Sequence, residues 1–589
     1  MAEKPNAYRN LLGINKASFT LAVIAFILSV VDLGFRLEYR TDQFFLFIYH
    51  LAIALCLTSL LARIYIKRNN LQHKIVRIDM ILSIFLIFVL IHNLARLFTF
   101  GFHSMHNSWT YIALFLVFLR EVYNINFRFR YKLINPAQLF VASFFIIILM
   151  GSLLLMLPNA TRGDISYVDA LFTATSAVCV TGLTVVDTGS VFTLIGQTII
   201  IALIQIGGLG IMTFTSYFSY FFRSGATYEN QMYMGQMSNV DKLDDVFNVL
   251  KKIILVTFSI EASGAVFLYS SISNDVVMGV GQRIYFSVFH SVSAFCNAGF
   301  SPLKNNLFEI TFRYNYFFQL VIALLIITGG IGFPIIFNVW KYFIYKIGNS
   351  FKRLVRKREK TYLPWVLNLN SKVIITTTAI LLISGTVFIF LLEYNNTLTE
   401  HRSFFGKLVV SFFGSVTTRT AGFNSVDTAA MTLPVTLIFM LLMWIGASPA
   451  STGGGIKTST IAVACMNVIS IARGKKSLEI FGREISQVTI NKSSAIILLS
   501  FAVIFVSSIS VSAFDSDKSL LSIVFEVVSA YGTVGLSRGI TGSLTDASKI
   551  IIVITMFLGR VGMITFLMAI IKKSVNTKYR YPSEEILIN

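Results

Sequence analysis

The stretch FTATSAVCVTGL, residues 172–183, recurs in recognisable form four times along the chain. The other copies are FHSVSAFCNAGF at 289–300, FFGSVTTRTAGF at 412–423 and FEVVSAYGTVGL at 525–536. Each copy has Phe ten residues before a glycine, and Leu or Phe directly after it. The four glycines are Gly182, Gly299, Gly422 and Gly535. Their spacings of 117, 123 and 113 residues indicate four internal repeats of one structural unit.

A second glycine motif lies in the apolar span that follows each copy. The four versions are Gly207-Gly208-Leu209-Gly210, Gly329-Gly330-Ile331-Gly332, Gly453-Gly454-Gly455-Ile456 and Gly559-Arg560-Val561-Gly562. Each unit is therefore predicted to contain a span, a short amphiphilic segment, a glycine-centred loop and a second span.

The short apolar segment before each loop has only ten to twelve residues. It cannot cross a hydrocarbon layer of about 30 Å, so it is predicted to enter as a half-helix and return through the loop. Four half-helices in one orientation would point the negative ends of their dipoles at a common axis, where a cation is favoured. Glycine allows the loop carbonyls to face that axis and to replace an ion's hydration shell. The alternative is that the glycines are helix breaks packed against neighbouring spans.

The composition is that of a polytopic membrane protein. Of the 589 residues, 55% are hydrophobic and only 13% are charged, which excludes a soluble enzyme. The net charge of +21 is attributed to basic cytoplasmic loops next to a lipid bilayer, and no nucleic-acid partner is predicted. The four cysteines lack metal-ligand spacing, so neither a zinc site nor a disulfide framework is expected.

Hydropathy predicts twelve spans. They lie near residues 18–35, 44–66, 79–99, 109–120, 137–157, 193–220, 250–272, 312–340, 373–393, 433–470, 493–513 and 547–571. Lys and Arg collect in the loops after the second and fourth spans, which predicts that both termini are cytoplasmic. The expected location is the cell membrane, as a multi-pass protein.

The repeats divide the chain into six predicted segments. They are a four-span N-terminal domain at 1–135, pore repeats at 136–222, 223–345, 346–478 and 479–577, and a cytoplasmic tail at 578–589. The predicted fold class is an all-α polytopic membrane protein, with four span, re-entrant pore helix, span repeats around one pseudo-fourfold pore. Voltage sensing by the N-terminal spans is not predicted, because the fourth span offers Arg120 only at its end.

At these residues the sequence resembles the superfamily of K⁺ transporters that includes bacterial Trk and Ktr membrane subunits, fungal Trk proteins and plant HKT proteins, with Ktr the most similar. The resemblance covers residue 136 to the C-terminus and implies a K⁺ selectivity filter made of backbone carbonyls. The implied filter loops are Val180-Thr181-Gly182, Asn297-Ala298-Gly299, Thr420-Ala421-Gly422 and Thr533-Val534-Gly535. Ser at the first filter position marks Na⁺-preferring plant relatives, so Gly182 favours K⁺.

The resemblance also implies a gate below the filter. Residues 446–458 resemble the family's intramembrane gating loop, whose candidate residues here are Gly453, Gly454, Gly455 and Lys457. Pro449 and the glycine run cannot hold a helix, which agrees with a loop. Arg560 matches the family's pore arginine and would oppose cations at that depth. The alternative, a packing arginine bonded to loop carbonyls, stays open, and both roles are compatible.

Asp187 and Asp427 each lie five residues after a loop glycine. They are predicted to concentrate cations at the outer mouth, with ordinary solvated carboxylates as the alternative. No ATP site and no proton-relay chain of acids is evident, which favours passive K⁺ conduction. Four re-entrant loops in one orientation argue against an alternating-access carrier, and the lack of paired acids, a nucleophile with a base or metal ligands at membrane depth argues against an enzyme. No cofactor is expected in this chain. The family likeness implies a homodimer and a separate cytosolic RCK-type regulatory subunit that binds ATP, ADP or NAD, and it leaves Na⁺ dependence open.

Overall fold

The structure is a computed structural model that describes residues 4–35, 39–67, 73–100, 108–124, 136–221, 246–272, 279–356, 367–475 and 477–571. The predicted tail at 578–589 and the basic loop after the fourth span lie outside these ranges. The chain divides into two units, Met1–Phe129 with Leu157–Asp164, and Arg130–Met156 with Ile165–Asn589. The predicted boundary at residue 135 and the four boundaries after it stay predictions.

The first unit contains four long helices. They are Lys4–Gly34, Tyr39–Lys67, His73–Phe100 and Ser108–Asn124. Small residues such as Ala25, Ala52 and Ala113 are fully buried where these helices pack together. Segment 157–164 joins this unit, since Asn159 donates its backbone N–H to the carbonyl of Gly34 at 2.9 Å.

Among the described residues of the first unit, two buried ion pairs are present. Arg63 contacts Glu121 at 2.8 Å, and Arg120 forms two hydrogen bonds to Asp79. All four side chains are nearly inaccessible to solvent. Charges at membrane depth usually pair with one another. These two pairs therefore hold the helices of the first unit together, and their arginines are bonded to carboxylates rather than arranged as the row of charges that a voltage sensor needs.

We expect Asp79→Asn to destabilise the protein, because it removes the carboxylate that Arg120 contacts in a low-dielectric interior. Breaking one side of a buried pair typically costs about 3–5 kcal/mol. Thermal unfolding of the purified chain in detergent measures the effect. The double variant Asp79→Asn, Arg120→Gln should recover part of the loss, and a single variant as stable as the parent would contradict a structural role for this pair.

The second unit contains the four repeats. The helices of the first two are Pro136–Leu155, Tyr167–Val178 and Leu194–Phe221, then Val246–Ser271, Val280–Phe295, Tyr316–Ile331 and Phe333–Arg356. Those of the last two are Leu369–Glu393, Phe404–Thr417, Leu433–Trp444 and Thr458–Ala472, then Gln487–Phe514, Leu520–Gly532, Asp546–Val561 and Met563–Ile570. Single turns at Thr188–Val191, Ile310–Arg313, Asn306–Phe308, Thr397–Glu400 and Thr541–Ser543 and a hairpin of Glu479–Ile480 with Arg483–Glu484 complete the described elements.

A short helix occupies the predicted half-helix segment of every repeat. The four have 12, 16, 14 and 13 residues. At 1.5 Å per residue they cover about 18–24 Å, less than the hydrocarbon thickness. A serine caps the N-terminus of three of them, since the side chains of Ser166, Ser403 and Ser519 each accept a backbone N–H from the first turn. Their C-terminal halves are buried, so the loops that follow start deep inside the unit.

The second spans of three repeats are broken, which the sequence predicted only for the third. In the second repeat the helix turns by 103° at Gly332, and in the fourth it turns by 95° at Gly562. Both glycines have positive φ, +93° and +83°, which an L-residue rarely adopts. Segments 312–340 and 547–571 are therefore bent pairs rather than straight spans.

A helix is present at each of the twelve predicted span positions. Among the described residues, six helices are long and apolar enough to cross a membrane alone, and eight are if each bent pair is one span. The predicted span 433–470 is two short helices with the intramembrane segment between them, and Ser108–Asn124 has only 17 residues. The protein is an all-α polytopic membrane protein.

Candidate functional site

The four glycine-centred loops have the same backbone shape. The residue two before each glycine has positive φ, with Val180 at +56°, Asn297 at +62°, Thr420 at +68° and Thr533 at +50°. The glycines follow at +88°, +69°, +77° and +94° in chain order. Of these four residues before the glycines, Val180, Thr420 and Thr533 are β-branched, and the left-handed region is strongly disfavoured for β-branched residues. The surroundings of the loops must therefore hold this conformation.

The end of each short helix supplies that support. In the first, second and fourth repeats, the N–H of the residue before the glycine donates to a serine carbonyl six residues before the glycine, at 2.7–2.8 Å. These serines are Ser176, Ser293 and Ser529, and in the third repeat Thr417 accepts from Ala421 at 3.0 Å. These hydrogen bonds direct the loop N–H groups toward the short helix of the same repeat. The loop carbonyls, which face away from that helix, therefore remain available to another partner.

The loops contact one another in a closed ring. A Cβ built on Gly182 would overlap the carbonyl oxygen of Ala298, and one built on Gly299 would lie 2.6 Å from that of Ala421. The same relation joins the remaining neighbours, Gly422 to Val534 and Gly535 to Thr181. Each glycine thus lies against the carbonyl that precedes the glycine of the next repeat, and the fourth repeat closes on the first. All eight non-glycine residues of the loops are buried.

A cavity of about 480 Å³ lies against this ring and is lined by all four glycines. Asp187 and Asp427, predicted at the outer mouth, both line it. Each also caps local backbone, since Asp187 accepts the N–H of Ser190 at 2.8 Å and Asp427 that of Ala429 at 2.9 Å. Both carboxylates therefore line the cavity and also bond to their own turns, and their role at the outer mouth stays a prediction.

Two basic side chains that were not predicted from the sequence also line the cavity, Lys304 and Arg538. Lys304 lies five residues after Gly299, the same offset as Asp187 and Asp427, so spacing alone would have found it. Arg538 spans two repeats, because its guanidinium donates to the carbonyls of Thr428 and Ala429 at 3.3 and 3.1 Å.

The intramembrane segment lies between the helices Leu433–Trp444 and Thr458–Ala472. A parallel bridge between Ile445 and Ile456 joins its two ends. Inside the segment, the Lys457 ammonium donates to the carbonyls of Gly453 and Gly454 at 2.7 and 3.3 Å. The segment is therefore a closed, internally bonded loop, as predicted from Pro449 and the glycine run.

Bonds to two other repeats hold this loop in place. Thr452 donates its backbone N–H to Gly329 at 3.3 Å and its hydroxyl to the carbonyl of Phe295 at 3.1 Å, both in the second repeat. Gly454 donates its N–H to the hydroxyl of Thr533 at 3.1 Å. Thr533 is one of the left-handed residues of the ring, so the loop touches the ring directly.

Arg560 joins the loop to a third helix. Its side chain is 3% exposed, and its two terminal nitrogens donate to the carbonyls of Thr452 and Gly207. The arginine of the fourth repeat thus ties the loop of the third to the second span of the first. This bonded geometry is the one predicted as the alternative to a bare electrostatic barrier.

The second glycine motif has a packing role in three repeats. A Cβ on Gly207, Gly329 or Gly559 would collide with the backbone carbonyl four residues before the loop glycine of the same repeat. Glycine there lets the second span approach the end of the short helix. The third repeat departs from the predicted alignment, because Gly453 lies against the side chain of Thr420 instead.

Residues 103–579, most of the chain including all four repeats, match the family described as TrkH, cation transport protein. The chain belongs to this TrkH family of cation transport proteins. Membership confirms the predicted superfamily and the prediction of a transporter rather than an enzyme.

Relatives within the TrkH family share long stretches with this chain. Ktr system potassium uptake protein B of Bacillus subtilis is 39% identical over 453 residues, 77% of this chain and 96% of the relative. Potassium/sodium uptake protein NtpJ of Enterococcus hirae is 35% identical over 464 residues, 78% of this chain and 98% of the relative. The crystal structure of the potassium transporter TrkH from Vibrio parahaemolyticus has a TM-score of 0.58 at 16% identity, covering 88% of this chain and 97% of that one, which shows a shared fold.

Two buried side chains at matching positions of the TrkH-family repeats also had no role in the sequence analysis. His290 and Glu526 both lie nine residues before a loop glycine. His290 contacts the hydroxyl of Ser301 at 3.0 Å, and Glu526 accepts a hydrogen bond from the hydroxyl of Ser537. Each serine lies two residues after its loop glycine. In the second and fourth repeats, therefore, a side chain of the short helix is hydrogen-bonded to the segment that directly follows the loop glycine.

Proposed function

We propose that this chain takes up K⁺ across the cell membrane by passive conduction through the ring of four loops. The closed ring, with each glycine against the carbonyl of the next repeat, carries the proposal. Four sets of carbonyls around one axis can replace the hydration shell of a monovalent cation. Relatives named as potassium uptake proteins support K⁺ as the ion. An inside-negative potential supplies about 2.3 kcal/mol per charge per 100 mV.

The proposed selectivity filter consists of the residues predicted from sequence. They are Val180, Thr181, Gly182, Asn297, Ala298, Gly299, Thr420, Ala421, Gly422, Thr533, Val534 and Gly535, which would bind K⁺ through backbone carbonyls. The bonds from the loop N–H groups to the short helices support this role, because they leave the carbonyls for the ion. At the outer mouth, Asp187 and Asp427 would attract cations, while Lys304 would offset part of that attraction.

The proposed gate is the intramembrane loop with Gly453, Gly454, Gly455 and Lys457, held shut by Arg560. Its bonds to the first, second and fourth repeats support a closed state that needs an outside force to open. We propose that this force comes from a cytosolic RCK-type subunit that binds ATP, ADP or NAD, acting on a homodimer of this chain with cytoplasmic termini. Dependence on Na⁺ belongs to the same proposal, supported by a relative named as a potassium/sodium uptake protein.

Ion flux into proteoliposomes that contain only this chain tests the proposal. Under an imposed inside-negative potential, we expect saturable uptake that favours K⁺ over Na⁺. Uptake that does not distinguish the two ions would overturn the filter assignment. If flux is absent until a nucleotide-binding regulator is added, the pore stands and the gate is shut in the isolated chain.

Gly182→Ser is expected to reduce the K⁺ to Na⁺ flux ratio by about 2- to 10-fold, the equivalent of one weakened ion contact. The reason is that the new Cβ must displace the carbonyl of Ala298, which changes the geometry of the proposed filter. The ratio is measured with matched K⁺ and Na⁺ gradients. Gly281→Ser, at a glycine with open space around it, serves as the control. A parent-like ratio in the Gly182 variant would remove that residue from the filter.

A further inference from the structure

The residue seven positions after the loop glycine differs among the four repeats in its ability to donate a hydrogen bond. The four residues at this offset are Gly189, Asn306, Ala429 and Gly542. Only Asn306 has a side chain that can donate a hydrogen bond. It also lines the cavity over the ring. The pseudo-fourfold arrangement is therefore broken at its outer side, in the second repeat.

The Asn306 amide contacts the ring itself. Its Nδ2 donates to the carbonyl oxygen of Gly299 at 2.9 Å, and its Oδ1 accepts the backbone N–H of Leu307 at 2.9 Å. The backbone N–H can only face the amide oxygen, so the amide orientation is settled by its surroundings. The residue has φ of +55°, a conformation that asparagine tolerates. The side chain is thus held rigidly between its own turn and the loop glycine.

The other three loop glycines lack such a bond. Among the residues that the structure describes, no N–H or O–H donates to the carbonyls of Gly182, Gly422 or Gly535. Each of these carbonyls keeps both lone pairs for another partner. The Gly299 carbonyl shares one lone pair with an amide, whose partial positive hydrogens then lie beside the cavity.

We propose that Asn306 sets how tightly the outermost layer of the pore binds a cation, acting as an affinity-determining residue. The inference rests on the proposed filter and deepens it. With the Gly299 carbonyl engaged, a cation arriving from the cavity meets three unshared carbonyls and one weakened one. Since ion binding depends on the number and field strength of the carbonyl dipoles, this layer holds its ion more loosely than four equal carbonyls would. A looser outer layer lets an ion leave or advance more readily.

Asn306→Gly is the variant that removes the amide with least strain. Glycine adopts φ of +55° freely, and it is the residue that the first and fourth repeats carry at this offset. Asn306→Asp is the second variant, because it keeps an acceptor for the Leu307 N–H and loses the donor to Gly299. Its new carboxylate would also attract cations, as proposed for Asp187 and Asp427, so the uncharged Asn306→Gly variant decides the test. Asn305→Ala is the matched control, since Asn305 lines the same cavity but its side chain makes no cap hydrogen bond.

The first measurement is the external K⁺ concentration that gives half-maximal uptake into proteoliposomes. Both Asn306 variants are expected to lower it by about 2- to 10-fold, the range for one hydrogen bond. Asn305→Ala should match the parent. Half-saturation unchanged or raised in Asn306→Gly would overturn the inference.

The second measurement does not require an open gate. Thermal unfolding in detergent, with KCl replaced by choline chloride at constant ionic strength, reports K⁺ binding through the rise in unfolding temperature. Both Asn306 variants should reach a given rise at a lower K⁺ concentration than the parent, whatever their stability without K⁺. If Gly182→Ser changes ion preference while both Asn306 variants behave as the parent, only this inference fails. If the parent itself shows no preference for K⁺, the proposed filter fails and the inference fails with it.

Discussion

Replacing Arg560 with alanine is expected to raise K⁺ flux through the isolated chain by about tenfold or more. The arginine donates to carbonyls of Thr452 and Gly207, and so ties the intramembrane loop to the first repeat. A hydrogen bond from a charged donor contributes about 1.5–3 kcal/mol, and 1.4 kcal/mol corresponds to a tenfold change in an equilibrium. Loss of both bonds should therefore shift the loop toward its open position.

Arg560→Lys separates the bond from the charge. Lysine keeps a positive charge in the proposed pore, but its single ammonium lacks the fork that reaches two carbonyls. If the tie to the loop closes the gate, flux through the lysine variant rises as in the alanine variant. If the charge alone excludes cations, only alanine raises flux. Flux at or below that of the parent in both variants would contradict the gate assignment. Proteoliposomes with an imposed potential provide the measurement.

Gly535→Ala is expected to reduce K⁺ flux by at least about tenfold. A tenfold reduction corresponds to an increase of about 1.36 kcal/mol in the energy barrier to conduction. At φ of +94° an L-residue is strained, and the new Cβ would overlap the carbonyl oxygen of Thr181. The left-handed conformation alone costs an L-residue roughly 1–2 kcal/mol. The overlap adds to this strain at the contact where the fourth repeat closes the ring on the first.

Gly539→Ala distinguishes the two contributions. Gly539 has a similar φ of +86°, but nothing lies within 4 Å of a Cβ placed there. Both variants introduce backbone strain, but only the Cβ of Gly535→Ala would overlap an atom of the ring. We expect Gly539→Ala to conduct nearly as the parent does. Equal loss of flux in the two variants would show that strain in this part of the chain, and not the ring, controls conduction.

The repeated features of this fold were predictable from sequence because repetition multiplies a weak signal. A single glycine after an apolar segment predicts little, whereas Gly182, Gly299, Gly422 and Gly535 in register predict a shared loop. The structure places all four in one ring with positive φ. Helices at all twelve span positions follow from hydropathy in the same way.

The contacts between repeats were not predictable from spacing. Nothing in the sequence says that Arg560 reaches Gly207, 353 residues away, because that pairing depends on which repeats are neighbours. The bend at Gly332 was missed for a related reason. Its motif matches that of Gly210, which lies within the continuous helix Leu194–Phe221. The same glycine pattern thus ends one helix and continues another, and the packing of each repeat decides between them.

The ring of loops is made by one chain, so each of its quarters is encoded separately. In an assembly of four identical subunits, one codon change alters every position around the axis at once. Here a codon change at Gly422 leaves the glycines of the other three loops as they were. A change in one repeat therefore alters one side of the ring, and among the described residues the hydrogen bond from Asn306 to Gly299 is a difference of this kind.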